Sequence, residues 1–175
     1  MRIEADLAPG GHANTMASSS PAGGLLPADT FATVVAHAPL VSIDLIVEDG
    51  QRRILLGCRR NPPAKDYWFV PGGRVRKHET LDSAFLRLTE EELGITLKRE
   101  DAVFQGVYEH FYDSDFSGEA NRSTHYVVLA YRLRLPAISD ALPPQQHSEY
   151  QWIEEDRIAD LPSVHPYTQA YFTTA

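Results

Sequence analysis

Glu90, Glu91 and Glu92 stand side by side immediately before Gly94 and Ile95, at the end of a run that reads as a helix. Carboxylates stabilise the N-terminal end of a helix, where the macrodipole is positive, and are disfavoured at its C-terminal end. A local rule broken this openly marks a candidate site. On a helical wheel from Thr80 to Leu93, Leu81, Phe85 and Leu88 form an apolar stripe with Ala84 at its edge. The three glutamates are then not equivalent. Glu90 faces solvent. Glu91 lies beside the stripe, one turn after Arg87, and is expected to pair with it. Glu92 falls in the middle of the stripe, and a carboxylate on a core-facing surface needs a partner or a metal. Just upstream, Pro71-Gly72-Gly73 gives a backbone able to bend closely and expose a carbonyl. A carbonyl oxygen and a carboxylate oxygen together are hard ligands of the kind Mg²⁺ takes, often shared with a diphosphate.

These groups must be held by neighbouring elements. Leu40 to Glu48 (LVSIDLIVE) alternates Val41, Ile43, Leu45 and Val47 against Ser42, Asp44 and Ile46, a strand pattern, and Asp49-Gly50 signals a turn into RRILLGCRR. Residues 61–66 are a Pro-rich loop. VFQGVYEHFY (103–112) and THYVVLAYRLRL (124–135) are β-rich runs separated by a polar loop; a second long loop, 136–149, precedes the strand YQWIE, and HPYTQAYFTTA holds a short helix. Strands around one central helix, with another helix at the end, imply an α/β/α sandwich with a mixed sheet.

Composition sets outer bounds. The 175 residues suit one domain, and 43% hydrophobic with 23% charged residues is an ordinary globular composition. The net charge of −8 argues against non-specific nucleic-acid binding, though a few local arginines could still hold a phosphorylated small ligand. No apolar run approaches the roughly 18–20 residues that span a membrane. With Cys58 the single cysteine, no intrachain disulfide or cysteine-based zinc site is available, and nothing requires an oxidising compartment; a cytoplasmic location is expected. Residues 1–24, rich in Ala, Gly, Ser and Pro, read as a flexible extension ahead of a single domain over 25–175.

Gly73, Glu79, Arg87, Glu91, Glu92, Gly94 and Ile95 together resemble the Nudix box, with one departure: Leu88 stands where the usual pattern has glutamate, and Thr89 replaces an apolar residue. From about Leu25 onward the chain resembles an atypical Nudix family, the GDP-mannose mannosyl hydrolases. The runs that carry the resemblance are DTFATVV, PLVSIDLIVE, ILLGCRRNPPAKDYWFVPGGRV, ETLDSAFLRLTEEELG, GVYEHFYD, FSGE, THYVVLAYR and QQHSEYQW. The resemblance implies a Nudix fold, a homodimer, one Mg²⁺ per subunit, and hydrolysis of a GDP-α-sugar to GDP and the free β-sugar by water attack at the anomeric carbon. Carried over by motif, the metal ligands are the Gly72 carbonyl, Glu92 and Gln146, and the general base is His147. Arg59 and Arg74 serve the diphosphate, and Asp44 accepts a hydroxyl or stabilises the oxocarbenium ion. His110, Tyr112 and Tyr126 lie near sugar and nucleotide, and Leu25, Leu26 and Phe31 contact the substrate, with an aromatic packing on guanine.

Taken alone, several of these residues have plainer readings: Phe31 as core, His110 as a strand histidine, His147 as an exposed loop residue. Two other functions remain open at this level. One is a conventional Nudix pyrophosphohydrolase attacking phosphorus, against which Leu88 and the QQH run speak. The other is a non-catalytic nucleotide sensor.

Overall fold

The computed structural model describes residues 26–62, 64–117, 120–136, 142–143 and 147–173, with backbone alone for 120–121 and 147–148. The expected N-terminal extension, Leu25 and Gln146 therefore lie outside the described residues. Helix α1 (Ala28–His37) leads into β1 (Leu40–Glu48), β2 (Arg53–Arg59), β3 (Trp68–Phe69), β4 (Gly72–Arg74) and helix α2 (Leu81–Leu93). A short 3-10 turn (Arg99–Asp101) precedes β5 (Val103–Ser114), β6 (Ala120–Arg134), β7 (His147–Glu154), α3 (Glu155–Ile158) and α4 (Pro166–Gln169).

The seven strands form one mixed sheet in the order β3-β2-β1-β6-β5, with β4 added to β1 and β7 to β2. β1 and β6 run parallel along the whole of β1, from Leu40↔Tyr126 to Glu48↔Arg134, while β5–β6 is antiparallel. The feature that makes room for a site is the behaviour of β1 toward β2. The two pair at Glu48↔Ile54, and over Ser42–Asp44 β1 instead takes β4 as its antiparallel neighbour. The sheet is thus split at one end, with Asp44 on one lip and the C-terminal end of β2 on the other.

Helix α2 forms where the apolar spacing placed it. Thr80 caps it, its hydroxyl accepting from Ser83 N at 3.1 Å, and Gly94 ends it in the left-handed region at φ 70°. It covers one sheet face, packing Phe85, Leu88 and Leu93 on Ile43, Leu45 and Val47. Ile158, Val164 and Tyr171 cover the other, on Ile46, Ile54 and Leu56. Two core faces explain a departure from the expected alternation of β1: both Ile46 and Ile43 are fully buried, because a central strand covered on both sides reads as a continuous apolar run, while Val41, expected on the inner face, is 42% exposed. Leu81 also departs from its expected place on the buried stripe; it opens the first turn of α2 and is exposed. The strands β5 and β6 extend further into their connection than the polar composition suggested, and His147 begins β7 where a loop was expected. Helices α1 and α3 were not anticipated. No helix among the described residues is long and apolar enough to cross a membrane.

Candidate active site

The split sheet opens a cavity of about 560 Å³. Asp44, Arg59, Gly72, Arg74, His110, Tyr112 and Tyr126 all line it, as do Leu26 and Phe31 of the N-terminal segment. Residues separated by up to 100 positions in the chain thus share one wall-to-wall space. His147 is placed by its backbone alone, in register opposite Arg59 on β2.

The box side is built by the β4–α2 unit, and its geometry depends on two glycines. A Cβ on Gly72 would lie 2.6 Å from the Ile43 carbonyl and 2.8 Å from Asp44 Oδ1; one on Gly73 would lie 2.6 Å from Leu88 Cδ2. Only glycine lets β4 lie this close to β1 and to the helix. Behind it, charges are matched among themselves. Arg87 Nε donates to Glu79 Oε1 at 2.6 Å, its Nη2 to Glu79 Oε2 at 2.7 Å and to the Arg74 carbonyl at 2.9 Å, and its Nη1 to Glu91 Oε2 at 2.8 Å. Arg76 reaches the other Glu91 oxygen at 3.1 Å, and Arg76 N donates to Glu79. The Arg87 hydrogen bonds to Glu79 hold that carboxyl below the usual range despite its partial burial. The expected Arg87–Glu91 pair is present, and Glu90 is exposed as expected. Glu79, given no role from spacing, is the anchor of the network: it ties the loop before α2 to the middle of the helix.

Glu92 differs from its neighbours. It is 1% exposed, and its charge is felt at Asp44 and at the Tyr150 phenol, which places these groups in one electrostatic neighbourhood. The donor set of Gly72 carbonyl and Glu92 carboxylate is all hard oxygen, the chemistry that fits Mg²⁺. No group of three His, Cys, Asp or Glu able to hold a metal occurs among the described residues. Among the described residues, a cation here would draw on the Gly72 carbonyl, the Glu92 carboxylate and retained waters.

The opposite side gathers aromatic rings and imidazoles around Asp44 and Arg59. Asp44 keeps part of its surface open to the cavity yet lies deep in the protein; burial pushes its carboxyl up to about 6, against the hydrogen bond from Tyr171 and the charge of Arg59, which lower it. Tyr171 Oη donates to Asp44 Oδ2 at 2.7 Å and lies 3.2 Å from His110 Nε2. Burial brings His110 down to about 4, with His165 and Arg59 adding to the effect, and burial and Arg59 likewise lower His165 to about 4. Both imidazoles are therefore neutral at pH 7. Burial raises the phenols of Tyr112 and Tyr126, so these are donors and not anions. Arg59 lies over the Phe69 ring at 5.5 Å, and Phe69 stacks on His165 at 4.7 Å. At the mouth, Arg74 sits 3.8 Å above the ring of Phe31, joining α1 to the cavity. A cavity lined by the cations Arg59 and Arg74, by phenol and imidazole groups and by an aromatic ring at its edge has the chemistry to take a phosphorylated ligand with a planar base and a polar third part.

Sequence reasoning missed Tyr171 and His165. Their signal was the aromatic-rich tail HPYTQAYF, read only as a short helix.

Fold and motif agree with the comparisons. The NUDIX domain matches residues 38–173, and the chain belongs to that family. Among relatives, it is similar to the low-salt glycan biosynthesis protein Agl8 of Haloferax volcanii, 39% identical over 147 residues that cover 83% of this chain and 88% of that protein. Among solved structures, it is similar to a MutT NUDIX hydrolase from Burkholderia pseudomallei, with 30% identity and a TM-score of 0.58 over 77% of this chain and 95% of that one. The MutT protein from Methanosarcina mazei Go1, 19% identical, shares the fold with a TM-score of 0.61, covering 77% of this chain and 91% of its own.

Proposed function

We propose that the chain hydrolyses a GDP-hexose, GDP-mannose or GDP-glucose, to GDP and free sugar, with water attacking the anomeric carbon and inversion at that centre. The observation that carries this reading is Leu88. At the box position where a carboxylate would otherwise face the diphosphate, a leucine lines the cavity and packs against Gly73. Of the other box carboxylates, Glu79 and Glu91 are bound to Arg87, which leaves Glu92 as the buried one. A helix face with one such carboxylate suits a single cation assisting a leaving group better than a cluster activating water at phosphorus. A sugar nucleotide also fits a relative named for glycan biosynthesis.

The Gly72 carbonyl, Glu92 and Gln146 would hold the Mg²⁺ that Nudix hydrolases generally use; when bound it supplies positive charge to the departing diphosphate. Arg59 and Arg74 bind and orient the same phosphates, and their charge opposes the build-up of negative charge on the leaving oxygen. Phe31 and Leu26 cover the base. Asp44 accepts a sugar hydroxyl and, as a carboxylate, stabilises positive charge developing at the ring; although burial pushes it up to about 6, it is still mostly ionised at neutral pH. His147, brought by β7 beside Arg59, removes the proton of the attacking water at its imidazole nitrogen. The active unit is proposed to be a homodimer in the cytoplasm, and residues 25–175 a single domain.

The test is product analysis by ¹H and ³¹P NMR during turnover of GDP-mannose with Mg²⁺. GDP and first-formed β-mannose are expected, and His147→Gln should lower turnover by about 10³-fold. Release of GMP and mannose 1-phosphate would favour the conventional pyrophosphohydrolase, and absence of turnover a nucleotide sensor.

A further inference from the structure

The C-terminal segment brings one phenol between two groups of the cavity that lie 66 positions apart, Asp44 and His110. Tyr171 Oη has a single hydrogen and gives it to Asp44 Oδ2 at 2.7 Å. Toward His110 Nε2, 3.2 Å away, the same oxygen can only accept, so the imidazole must carry its proton on Nε2. One hydroxyl therefore fixes both the orientation of a carboxylate and the tautomer of a histidine. Asp44 Oδ1 and His110 Nδ1 are left without a hydrogen-bond partner among the described residues, and both side chains line the cavity.

The phenol is itself held. Gln105 Nε2 donates to the Tyr171 carbonyl at 2.7 Å, and Tyr108 packs edge-on against its ring at 4.7 Å. His110 is clamped from its other side, its ring stacked on Tyr167 at 4.3 Å with 9° between planes. Tyr167 Oη accepts from Phe111 N at 2.8 Å and donates to Phe111 O at 2.6 Å, which stops that ring from moving away. Three side chains, Gln105, Tyr108 and Tyr167, and the backbone of Phe111 thus hold the Asp44–Tyr171–His110 chain.

We propose that Tyr171 is a positioning residue: it presents Asp44 Oδ1 and His110 Nδ1 to the cavity as two fixed hydrogen-bond acceptors, a pair suited to the hydroxyl groups of a sugar. This rests on the GDP-hexose reading above and adds to it that the C-terminal segment selects the polyhydroxylated part of the substrate. Two acceptors fixed before binding take two donors without reorganisation, and a ligand lacking a hydroxyl there leaves a buried acceptor unmatched, which is how hydrogen-bonding sites reject deoxy analogues.

Two readouts test this. In metal-free protein labelled with ¹⁵N-histidine, two-bond ¹H–¹⁵N correlations should show His110 as the Nε2–H tautomer, assigned through loss of its signals in His110→Gln. Tyr171→Phe should move it to a mixture containing the Nδ1–H form, whereas Tyr108→Phe, which alters the same aromatic cluster without touching Asp44, should leave it unchanged. In kinetics, Tyr171→Phe should lower kcat/KM for GDP-mannose by about tenfold or more. That loss should shrink for GDP-sugars lacking one hydroxyl, because the contact is already absent. An unchanged tautomer in Tyr171→Phe, or equal losses for hydroxylated and deoxy substrates in a variant that still melts cooperatively, would overturn the proposal. If the wild type instead cleaved the diphosphate while the tautomer behaved as described, the proposed reaction would fail and the positioning role of Tyr171 would stand.

Discussion

The two walls of the cavity hold their polar groups by opposite means. On the box wall, Arg87 pairs with Glu79 and Glu91 and Arg76 with Glu91, so charge is balanced by charge within a half-buried network. On the tail wall, Asp44 and His110 are held by a neutral phenol, and burial dominates both of their titrations. A partly solvated ion-pair network fixes backbone: it locks the loop before α2, and the Arg74 carbonyl at the end of β4, to the helix. A buried network joined through a phenol leaves acceptor capacity open on the Asp44 carboxylate and the neutral His110 ring. On the proposed reading the first wall is a frame and the second a recognition surface, with Glu92 set apart from both as the proposed metal ligand.

That division can be broken at graded cost. Glu92→Gln should have the largest effect, lowering Mg²⁺-dependent turnover by about 10³-fold, roughly 4 kcal/mol, while melting in metal-free buffer changes little. Metal titration and kinetics check it, and an unchanged Mg²⁺ affinity would remove Glu92 from the site. Next, Arg87→Ala strips the frame and leaves Glu79 and Glu91 facing each other. Discounting for partial exposure, the loss is about 2–3 kcal/mol of stability, measured by urea unfolding. If Arg87→Ala were neutral to unfolding, the network would be ornament.

The tail wall responds to pH. His110 and His165 titrate near 4 when folded, against an ordinary 6.5 when unfolded, so the unfolded chain binds more protons in that window and stability falls as pH drops through it. Asp44 acts in the opposite sense: its folded value of about 6 lies above its unfolded value, so the folded chain gains a proton over part of the same range. Two protons against one leaves a net loss of about 1 kcal/mol per pH unit below pH 6. Thermal melting between pH 7 and pH 4.5 should show that decline, and a flat or rising profile would contradict neutral burial of the imidazoles. The smallest effect is expected at Glu90, exposed at the last turn of α2. Glu90→Gln should be neutral or stabilising by less than about 0.5 kcal/mol, since it removes a charge from the negative end of the helix dipole.

The same contrast decides what could be read from the sequence. The box wall was legible because it is local. Arg87 and Glu91 are four positions apart on one helix, and Glu92 announces itself as a carboxylate on an apolar stripe. The tail wall joins residues 44, 110 and 171 through tertiary packing, and a tyrosine in an aromatic tail carries no spacing that distinguishes a core ring from a hydrogen-bond donor. Helix α1 escaped notice for a related reason. Its sequence is rich in Thr and Val, its N-cap Pro27 makes no side-chain hydrogen bond, and it is held by contacts elsewhere, Val35 in the core and Phe31 on Arg74. The sequence around His147 reads as loop because its strand identity comes from pairing with β2, some 90 positions earlier.

In the proposed reaction the bond broken lies between the anomeric carbon and oxygen. Hydrolysis of GDP-mannose in ¹⁸O-enriched water tests it most directly. Label should appear on the anomeric oxygen of the released mannose, and the GDP should carry none. Label in a phosphate product, whether GMP or mannose 1-phosphate, would place the attack at phosphorus and contradict the account.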